Sequence, residues 1–316
     1  MSSKLKRSIV ASIIGRTAVG KSSIINALIG EHLSIVSSRT QTTRQLIRAI
    51  FNYQDCQIVL IDTPGYQERP KNKLNRLMNR TLTEALANPD MIVWVIDASR
   101  YQKSKLSEKR LLEKILIPVF DQVDLPITGV VVFNKIDKLK NINQLLPMLE
   151  DFKNSFPNLA KLELIPLSAI TKKNINILLK ILCQNSKVTS PLFPEDQISD
   201  LNERFFAQEF MRESLYDELY QEIPFGCAVT IDSFAKEKTK NKKKELLRIA
   251  LTIRISSDKH KPIILGENGQ RIKRIATKAR LKMENFYRTK VYLQTWIKVN
   301  PNWQNQPGLL KEFGYL

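Results

Sequence analysis

Three cysteines in 316 residues, Cys56, Cys183 and Cys227, are too scattered and odd in number for a disulfide framework or a zinc site. Each sits among apolar residues and is expected to be a buried thiol. The two histidines, His32 and His260, have no carboxylate or second histidine at ligand spacing, and are expected on the surface or in loops. No apolar run approaches the ~18–20 residues of a membrane span. The opening MSSKLKRSIV is basic but runs directly into a strand-like stretch. It is too short for a signal or transit peptide, so the cytosol is the expected compartment. Acidic residues are also scarce, 31 against 50 Lys and Arg, for a net charge of +19. That excess calls for a polyanionic partner, either nucleic acid or an anionic membrane surface. Apolar residues at 43% exclude a disordered chain, and the length fits one large domain or two ordinary ones.

The charge is unevenly spread. Residues 1–190 hold 28 basic and 15 acidic side chains. From Pro191 to Ala235 the balance inverts to 2 and 10, and from Lys236 to Lys298 it becomes 19 and 5. The acidic block is expected to form a helix face turned away from any polyanion. KVTSPLFPED (Lys187–Asp196) carries two prolines and no periodicity, and reads as the start of a linker. The expected division is a first domain at 1–186, a linker at 187–200 and a second domain at 201–316.

In the first domain, short runs rich in Ile, Val and Leu occupy Arg7–Ile14, Gln57–Ile61, Met91–Asp97, Ile127–Asn134 and Leu162–Leu167. Near-continuous apolar runs suit strands buried on both faces. Helical segments such as Lys21–Ile29, Leu106–Phe120 and Ile175–Leu182 lie between them. This alternation predicts an α/β domain with a mostly parallel sheet and helices on both faces.

GRTAVGKS (Gly15, Arg16, Thr17, Ala18, Val19, Gly20, Lys21, Ser22) matches a phosphate-binding loop between a strand and a helix, with Ser23 following. The glycines let backbone N–H groups wrap phosphates, and the helix N-terminus adds partial positive charge. Lys21 is expected on the β- and γ-phosphates and Ser22 on Mg²⁺. DTPG (Asp62–Gly65) follows a strand, with Asp62 expected on Mg²⁺ through water and the Gly65 N–H on the γ-phosphate. NKID (Asn134–Asp137) selects the base: the Asp137 carboxylate can accept from both guanine N1–H and the exocyclic amine, a donor pair that adenine lacks. Lys135 is expected along the base plane, and Asn134 is expected to brace the loops. The backbone of Ser168, Ala169 and Ile170 is expected at the guanine oxygen. In QTTR (Gln41–Arg44), Thr43, with Thr42 as the alternative, completes the Mg²⁺ shell. Each fragment alone is ordinary turn chemistry. All five in order point to GTP/GDP with Mg²⁺, with Lys21, Thr43 and Gly65 as the groups acting on the γ-phosphate.

The second domain reads as helix, two strands, a helical pair around a glycine turn, then a strand. The helix is expected over Leu201–Tyr220 and the last strand over Val291–Val299. In the second strand Leu247, Ile249, Leu251, Ile253 and Ile255 share one face. Lys236–Lys244 is expected to be a charged loop. ILGENGQRIKRIA (Ile263–Ala276) resembles the G-x-x-G segment of a KH domain at Gly266, Glu267, Asn268 and Gly269. Such a turn lets the backbone approach nucleic acid, beside a groove for about four unpaired bases. Lys259, Lys261, Arg271, Lys273, Arg274 and Lys278 supply charge around it. Glu267 at the tip is expected to point away from RNA or to weaken binding slightly. Trp296 and Lys298 on the last strand face either RNA or the core.

The nucleotide motifs resemble the translation-factor-like class of small GTPase domains. The whole chain, through SSRTQTTR (Ser37–Arg44), FPED (Phe193–Asp196) and GLLKEFGY (Gly308–Tyr315), resembles the bacterial Era GTPase family. The resemblance implies a P-loop GTPase domain followed by an α+β type II KH domain. It implies GTP hydrolysis, binding near the 3′ end of small-subunit (16S) ribosomal RNA, and a role in maturing the 30S subunit. Tyr66 stands where many GTPases carry a water-orienting Gln, which resembles the substitution in this family and implies slow turnover, roughly 10⁻²–10⁻⁴ s⁻¹ or below. Gln67 is the substitute considered. Related GTPases often place an Asn at the position of Ala18 to help bind an activating K⁺, so K⁺ stimulation is expected to be weak or absent. The chain is expected to act as a monomer. Two other readings stand beside this one: an RNA-binding assembly scaffold with incidental GTP turnover, and a regulatory GTPase peripheral to the cytoplasmic face of the inner membrane.

Overall fold

The computed structural model describes residues 6–30, 43–120, 128–159, 161–238 and 245–316. These form two compact units: apart from Lys71–Leu74, which group with the second, the described residues up to Asp200 make the first and those from Leu201 the second.

The first unit is built on β1 (Arg7–Ile14), β2 (Ile47–Tyr53), β3 (Cys56–Asp62), β4 (Met91–Asp97), β5 (Gly129–Asn134) and β6 (Glu163–Pro166). They run side by side in the order β2-β3-β1-β4-β5-β6. All neighbours are parallel except β2, which lies antiparallel to β3. Every residue of β3 and β4 is buried, as continuous apolar runs require of central strands. β2 was not expected as a strand. Its pattern of IRAIFNY, half exposed at a sheet edge, gives no continuous apolar run.

The helices are α1 (Lys21–Ile29), α2 (Lys73–Glu84), α3 (Tyr101–Leu111), α4 (Ile117–Phe120), α5 (Leu145–Ser155) and α6 (Ile175–Gln184). α3 begins five residues before the expected start and passes through a π turn (Leu112–Leu116) into α4. Between β4, β5, α3 and α5 lies a core of Trp94, Tyr101, Phe133, Phe152 and Phe156. Their ring centroids are 4.7–6.4 Å apart and mostly edge-to-face, the arrangement aromatic quadrupoles favour. Cys56, Cys183 and Cys227 are buried free thiols.

The segment expected as a linker is instead strapped to the first unit. β7 (Lys187–Val188) pairs antiparallel with the start of β1. Beyond it the chain follows the β2 edge, where the Ile50 N–H donates to Ile198 O at 2.9 Å and Arg48 pairs with Asp200 at 2.5 Å. The fully buried Gln57 explains the attachment. Its amide donates to Phe193 O at 2.8 Å and accepts from the N–H groups of Leu192 and Phe193 at 2.7 and 2.9 Å. A buried amide needs these partners, and a proline-rich segment without its own ladder has N–H and C=O groups to give.

The second unit runs α7 (Glu203–Glu218), β8 (Cys227–Lys238), β9 (Glu245–Ile255), α8 (His260–Leu265), α9 (Gln270–Tyr287), β10 (Lys290–Val299) and α10 (Pro307–Glu312). β9 is central, antiparallel to β8 and parallel to β10. Leu247, Ile249, Leu251, Ile253 and Ile255 of β9 are fully buried, as are Ile275, Ala279 and Met283 of α9. Lys236–Lys238, expected in a loop, belong to β8 and pair with β9. Residues 239–244 lie outside the described residues. The Asn202 side chain caps α7 by accepting from the Phe205 N–H at 2.9 Å.

α7 does not turn its acidic face away from the basic helix. Glu218 pairs with Lys278 and with Arg274 (3.7 Å), while Lys282 reaches Glu213 at 2.9 Å and Asp217 at 3.0 Å. The two charge blocks of the sequence partly neutralise each other across the packed α7 and α9.

Among the described residues no helix is long and apolar enough to cross a membrane.

Candidate functional site

Parallel α/β sheets present their loops at the carboxyl ends of the strands, where ligands bind. Gly15–Gly20 follow β1, Thr63–Gly65 follow β3, Lys135–Asp137 follow β5 and Ser168–Ile170 follow β6, so four of the five motifs share one edge. Of the fifth, Thr43 and Arg44 are described and buried; Gln41 and Thr42 lie outside the described residues, as does His32.

The phosphate loop is tight because two backbone approaches demand it. Gly20 has φ +100°, and a Cβ there would fall 2.3 Å from Asn134 Nδ2. A Cβ on Gly65 would fall 2.7 Å from the Thr17 Cα, so only glycine lets the third strand's loop lie on the phosphate loop. The Lys21 ammonium curls back over the loop, 3.2 Å from both Gly15 O and Arg16 O. Burial pushes its pKa down to about 8, against the attraction of Asp62 and Glu108.

Ser22, Thr43 and Asp62 converge. Ser22 Oγ donates to Asp62 Oδ2 at 2.8 Å, Thr43 Oγ1 donates to the same oxygen at 3.3 Å, and the two hydroxyls are 3.0 Å apart. All three residues are buried. Two hydroxyls this close to each other and to a buried carboxylate suit Mg²⁺, with Ser22 and Thr43 as direct oxygen ligands and Asp62 acting through water.

The base-side loops are tied to the phosphate loop. Asn134 Nδ2 donates to Val19 O at 3.0 Å, and its Oδ1 accepts from the Ala169 N–H at 3.1 Å. Asn134 thus links three loops. Lys135 Nζ donates to Ala18 O at 2.5 Å and to Asp97 Oδ2 at 2.7 Å. Ser168 Oγ donates to Asp137 Oδ1 at 2.6 Å. Ile170 is 73% exposed at the outer rim.

Two residues of the site were missed by sequence reasoning. Asp97, the last residue of β4, fixes Lys135 and caps the following turn through Ser99. Glu108 on α3 is 1% exposed, and burial pushes its carboxyl up to about 7 against the pull of Arg16 and Lys21. Asp97 could have been found as a carboxylate ending a buried strand. Glu108 could not, since it belongs to an ordinary charged helix, YQKSKLSEKRL.

The residues considered for orienting water lie elsewhere. Tyr66 is 7% exposed and belongs to the hydrophobic core; its N–H donates to Gly15 O at 3.2 Å. Gln67 is tied to α2: its N–H donates to Asn79 Oδ1 at 3.0 Å and its amide lies 3.7 Å from Met78 Sδ.

In the second unit, Gly266 ends α8 at φ +70°, and Gly269 starts α9 at φ +74°. Glu267 and Asn268 are exposed at the tip. Lys259, Lys261 and Lys273 are exposed around it, and Arg271 donates to Ile263 O at 2.7 Å, across the turn. Arg274 and Lys278, expected to be available to a phosphate backbone, are held by Glu218; that partner raises the Lys278 pKa. Trp296 is 50% exposed, so it is not a core residue.

The fold and these two constellations define a P-loop GTPase domain joined to a KH domain. Family models agree: residues 10–135 match that of the 50S ribosome-binding GTPases and residues 230–304 match that of the KH domain. The chain is 37% identical over 305 residues to GTPase Era of Coxiella burnetii, covering 96% of this chain and 97% of that protein. It is 37% identical over 304 residues to GTPase Era of Xylella fastidiosa, covering 96% of each. Among solved structures, Era bound to MgGDPNP and nucleotides 1506–1542 of 16S ribosomal RNA superposes with a TM-score of 0.90 at 32% identity, covering 98% of this chain and 99% of that one. An Aquifex aeolicus Era variant bound to GDP and aluminium fluoride gives 0.89 at 31%, with the same coverage. The chain belongs to the Era GTPase family and is a GTP-hydrolysing enzyme.

Proposed function

We propose that the chain is a nucleotide-controlled factor that binds the 3′ region of 16S ribosomal RNA and assists maturation of the 30S subunit. The observation that carries this reading is the pairing of a complete guanine-nucleotide site with a KH turn in one chain, superposable along 98% of its length on Era holding both ligands. The small-subunit assignment rests on the 16S RNA held by that Era.

In this reading Lys21 leaves the Gly15 and Arg16 carbonyls for the β- and γ-phosphates. Ser22, Thr43 and Asp62 hold Mg²⁺, which neutralises charge on the β- and γ-oxygens. The Gly65 N–H contacts the γ-phosphate. Asp137, aligned by Ser168, reads guanine; Lys135, fixed by Asp97, lies along the base; the Ser168–Ile170 backbone reaches its oxygen. With Tyr66 in the core and Gln67 tied to residues of α2, neither side chain orients the attacking water, which supports slow unassisted turnover. Loss of the γ-phosphate releases Thr43 and Gly65, the contacts by which hydrolysis resets the protein. The chain works as a monomer in the cytoplasm, and the basic surface serves RNA before any membrane.

Crosslinking followed by sequencing of bound RNA, with GTP and with GDP, tests the assignment. Enrichment of the 16S 3′ end is expected. Enrichment of unrelated RNA overturns the substrate, and sedimentation with anionic vesicles at physiological salt without RNA crosslinks favours the membrane reading.

A further inference from the structure

The helices cover one face of the β8-β9-β10 sheet. Phe234 of β8 packs on Tyr287 of α9, centroids 6.0 Å apart, and Phe234 pairs in register with Ile249. The odd-numbered residues of β9 therefore face the helices and Arg248, Thr252 and Arg254 face away. On β10 the outward residues are Tyr292, Gln294, Trp296 and Lys298, in register with Arg248, Ala250, Thr252 and Arg254. α10 caps only the Arg254 end, where Arg254 stacks 5.3 Å above Phe313 and lies 3.5 Å from Glu312.

We propose that this open sheet face is a second RNA surface, a stacking platform for single-stranded RNA that extends beyond the groove at Gly266–Gly269. The proposal rests on the reading that the chain binds RNA there. Among the described residues three aromatic side chains are largely exposed, Tyr220, Tyr292 and Trp296, and two of them share this face. They stand four residues apart on one strand, about 13 Å at the usual rise. The Arg248 guanidinium lies 4.8 Å from the Tyr292 ring centroid. β10 carries Lys290 and Lys298 and no carboxylate. Of the carboxylates on β8, Glu237 is held by Arg248 and Asp232 accepts from Thr252. Aromatic faces interleaved with cations are what sequence-tolerant single-strand binders use, bases stacking while phosphates meet the charges. The partly exposed polar neighbours Gln294 and Thr230 offer hydrogen bonds to base edges, where an apolar protein partner or a lipid surface would call for aliphatic side chains.

Trp94 and Trp303 are 2% and 0% exposed, so Trp296 is the tryptophan whose emission a bound base can reach. Full-length protein is titrated with a single-stranded RNA of about four nucleotides, enough to fill a KH groove, and with one of about twelve that continues past it. The longer RNA is expected to quench Trp296 emission and the shorter to leave it unchanged. Trp296→Ala is expected to weaken the longer RNA roughly tenfold while leaving the shorter RNA and GTP turnover unchanged, with Trp296→Phe retaining most of the affinity. Tyr292→Ala is expected to act in the same length-dependent way. Equal effects of Trp296→Ala on both lengths, or no effect on either, overturn the platform while leaving groove binding intact. Quenching by phosphatidylglycerol vesicles and not by RNA overturns it in favour of a lipid surface. Failure of both RNAs to bind removes the RNA reading and the platform with it.

Discussion

The nucleotide site and the nucleic-acid face are built on opposite principles. In the first unit the polar groups are buried and already tied together: Ser22, Thr43 and Asp62 in one cluster, Asn134 and Lys135 across three loops. In the second unit the polar groups around Gly266–Gly269 are exposed, and part of the nearby charge is cancelled by α7. A preorganised buried site gives discrimination, because a wrong ligand leaves buried donors or acceptors unpaired. An exposed charged face gives affinity that spreads over many residues and weakens with salt. Single substitutions should therefore be drastic in one place and graded in the other.

The largest effect is expected from Asp137→Ala, which removes both the guanine acceptor and the acceptor of the Ser168 hydroxyl. GDP affinity measured by calorimetry should fall at least about a hundredfold, with preference over ADP lost. A loss of less than about tenfold would mean that the base is read elsewhere. Next comes pH. With the Lys21 pKa pushed down to about 8, the ammonium is charged below that pH and neutral above it. Phosphates favour the charged form, so GTP affinity should fall by as much as tenfold per pH unit above about pH 8. A flat profile to pH 9.5 would place the Lys21 titration higher.

In the second unit, Gly269→Asp adds a carboxylate where open space surrounds the Cβ, at a cost confined to the positive φ. RNA affinity should fall roughly tenfold with GTP hydrolysis unchanged. Smaller still is a contrast between two lysines on α9. Lys273→Ala should weaken RNA binding a fewfold and lower its salt dependence by about one charge. Lys278→Ala should do so less, since Glu218 already holds that ammonium. Equal effects would show that RNA displaces Glu218. The smallest expected effect is a null. With Ala18 in the phosphate loop, hydrolysis in K⁺ should match that in Na⁺ to within about twofold, and a tenfold stimulation would contradict the reading of that position.

The parts of the molecule that are legible in the sequence are those where local chemistry dictates backbone. The phosphate loop, DTPG and NKID need particular residues at fixed spacing, and β1 and β4 appear with the expected limits because burial on both faces leaves continuous apolar runs. The edge strand β2 was hidden because only half its residues are buried. The strap at 187–200 was hidden because its partner, Gln57, is a polar residue inside an apolar strand, and nothing local announces which carbonyls will satisfy it. Charge misled in its own way: the blocks before and after Lys236 reveal a polyanion-binding region, but not that Glu218, Asp217 and Glu213 neutralise part of it from α7. Tyr66 was legible as an absence of Gln, while its place in the core depends on tertiary packing.

A nucleotide-controlled RNA-binding protein must bind RNA differently in its two nucleotide states. The direct test is a titration of the full chain with the 3′-terminal segment of 16S RNA, once with a non-hydrolysable GTP analogue and once with GDP, at one salt concentration. At least about tenfold tighter RNA binding with the GTP analogue is the expected result. Equal affinity in the two nucleotide states would contradict it, leaving an RNA-binding protein whose GTP turnover serves something else.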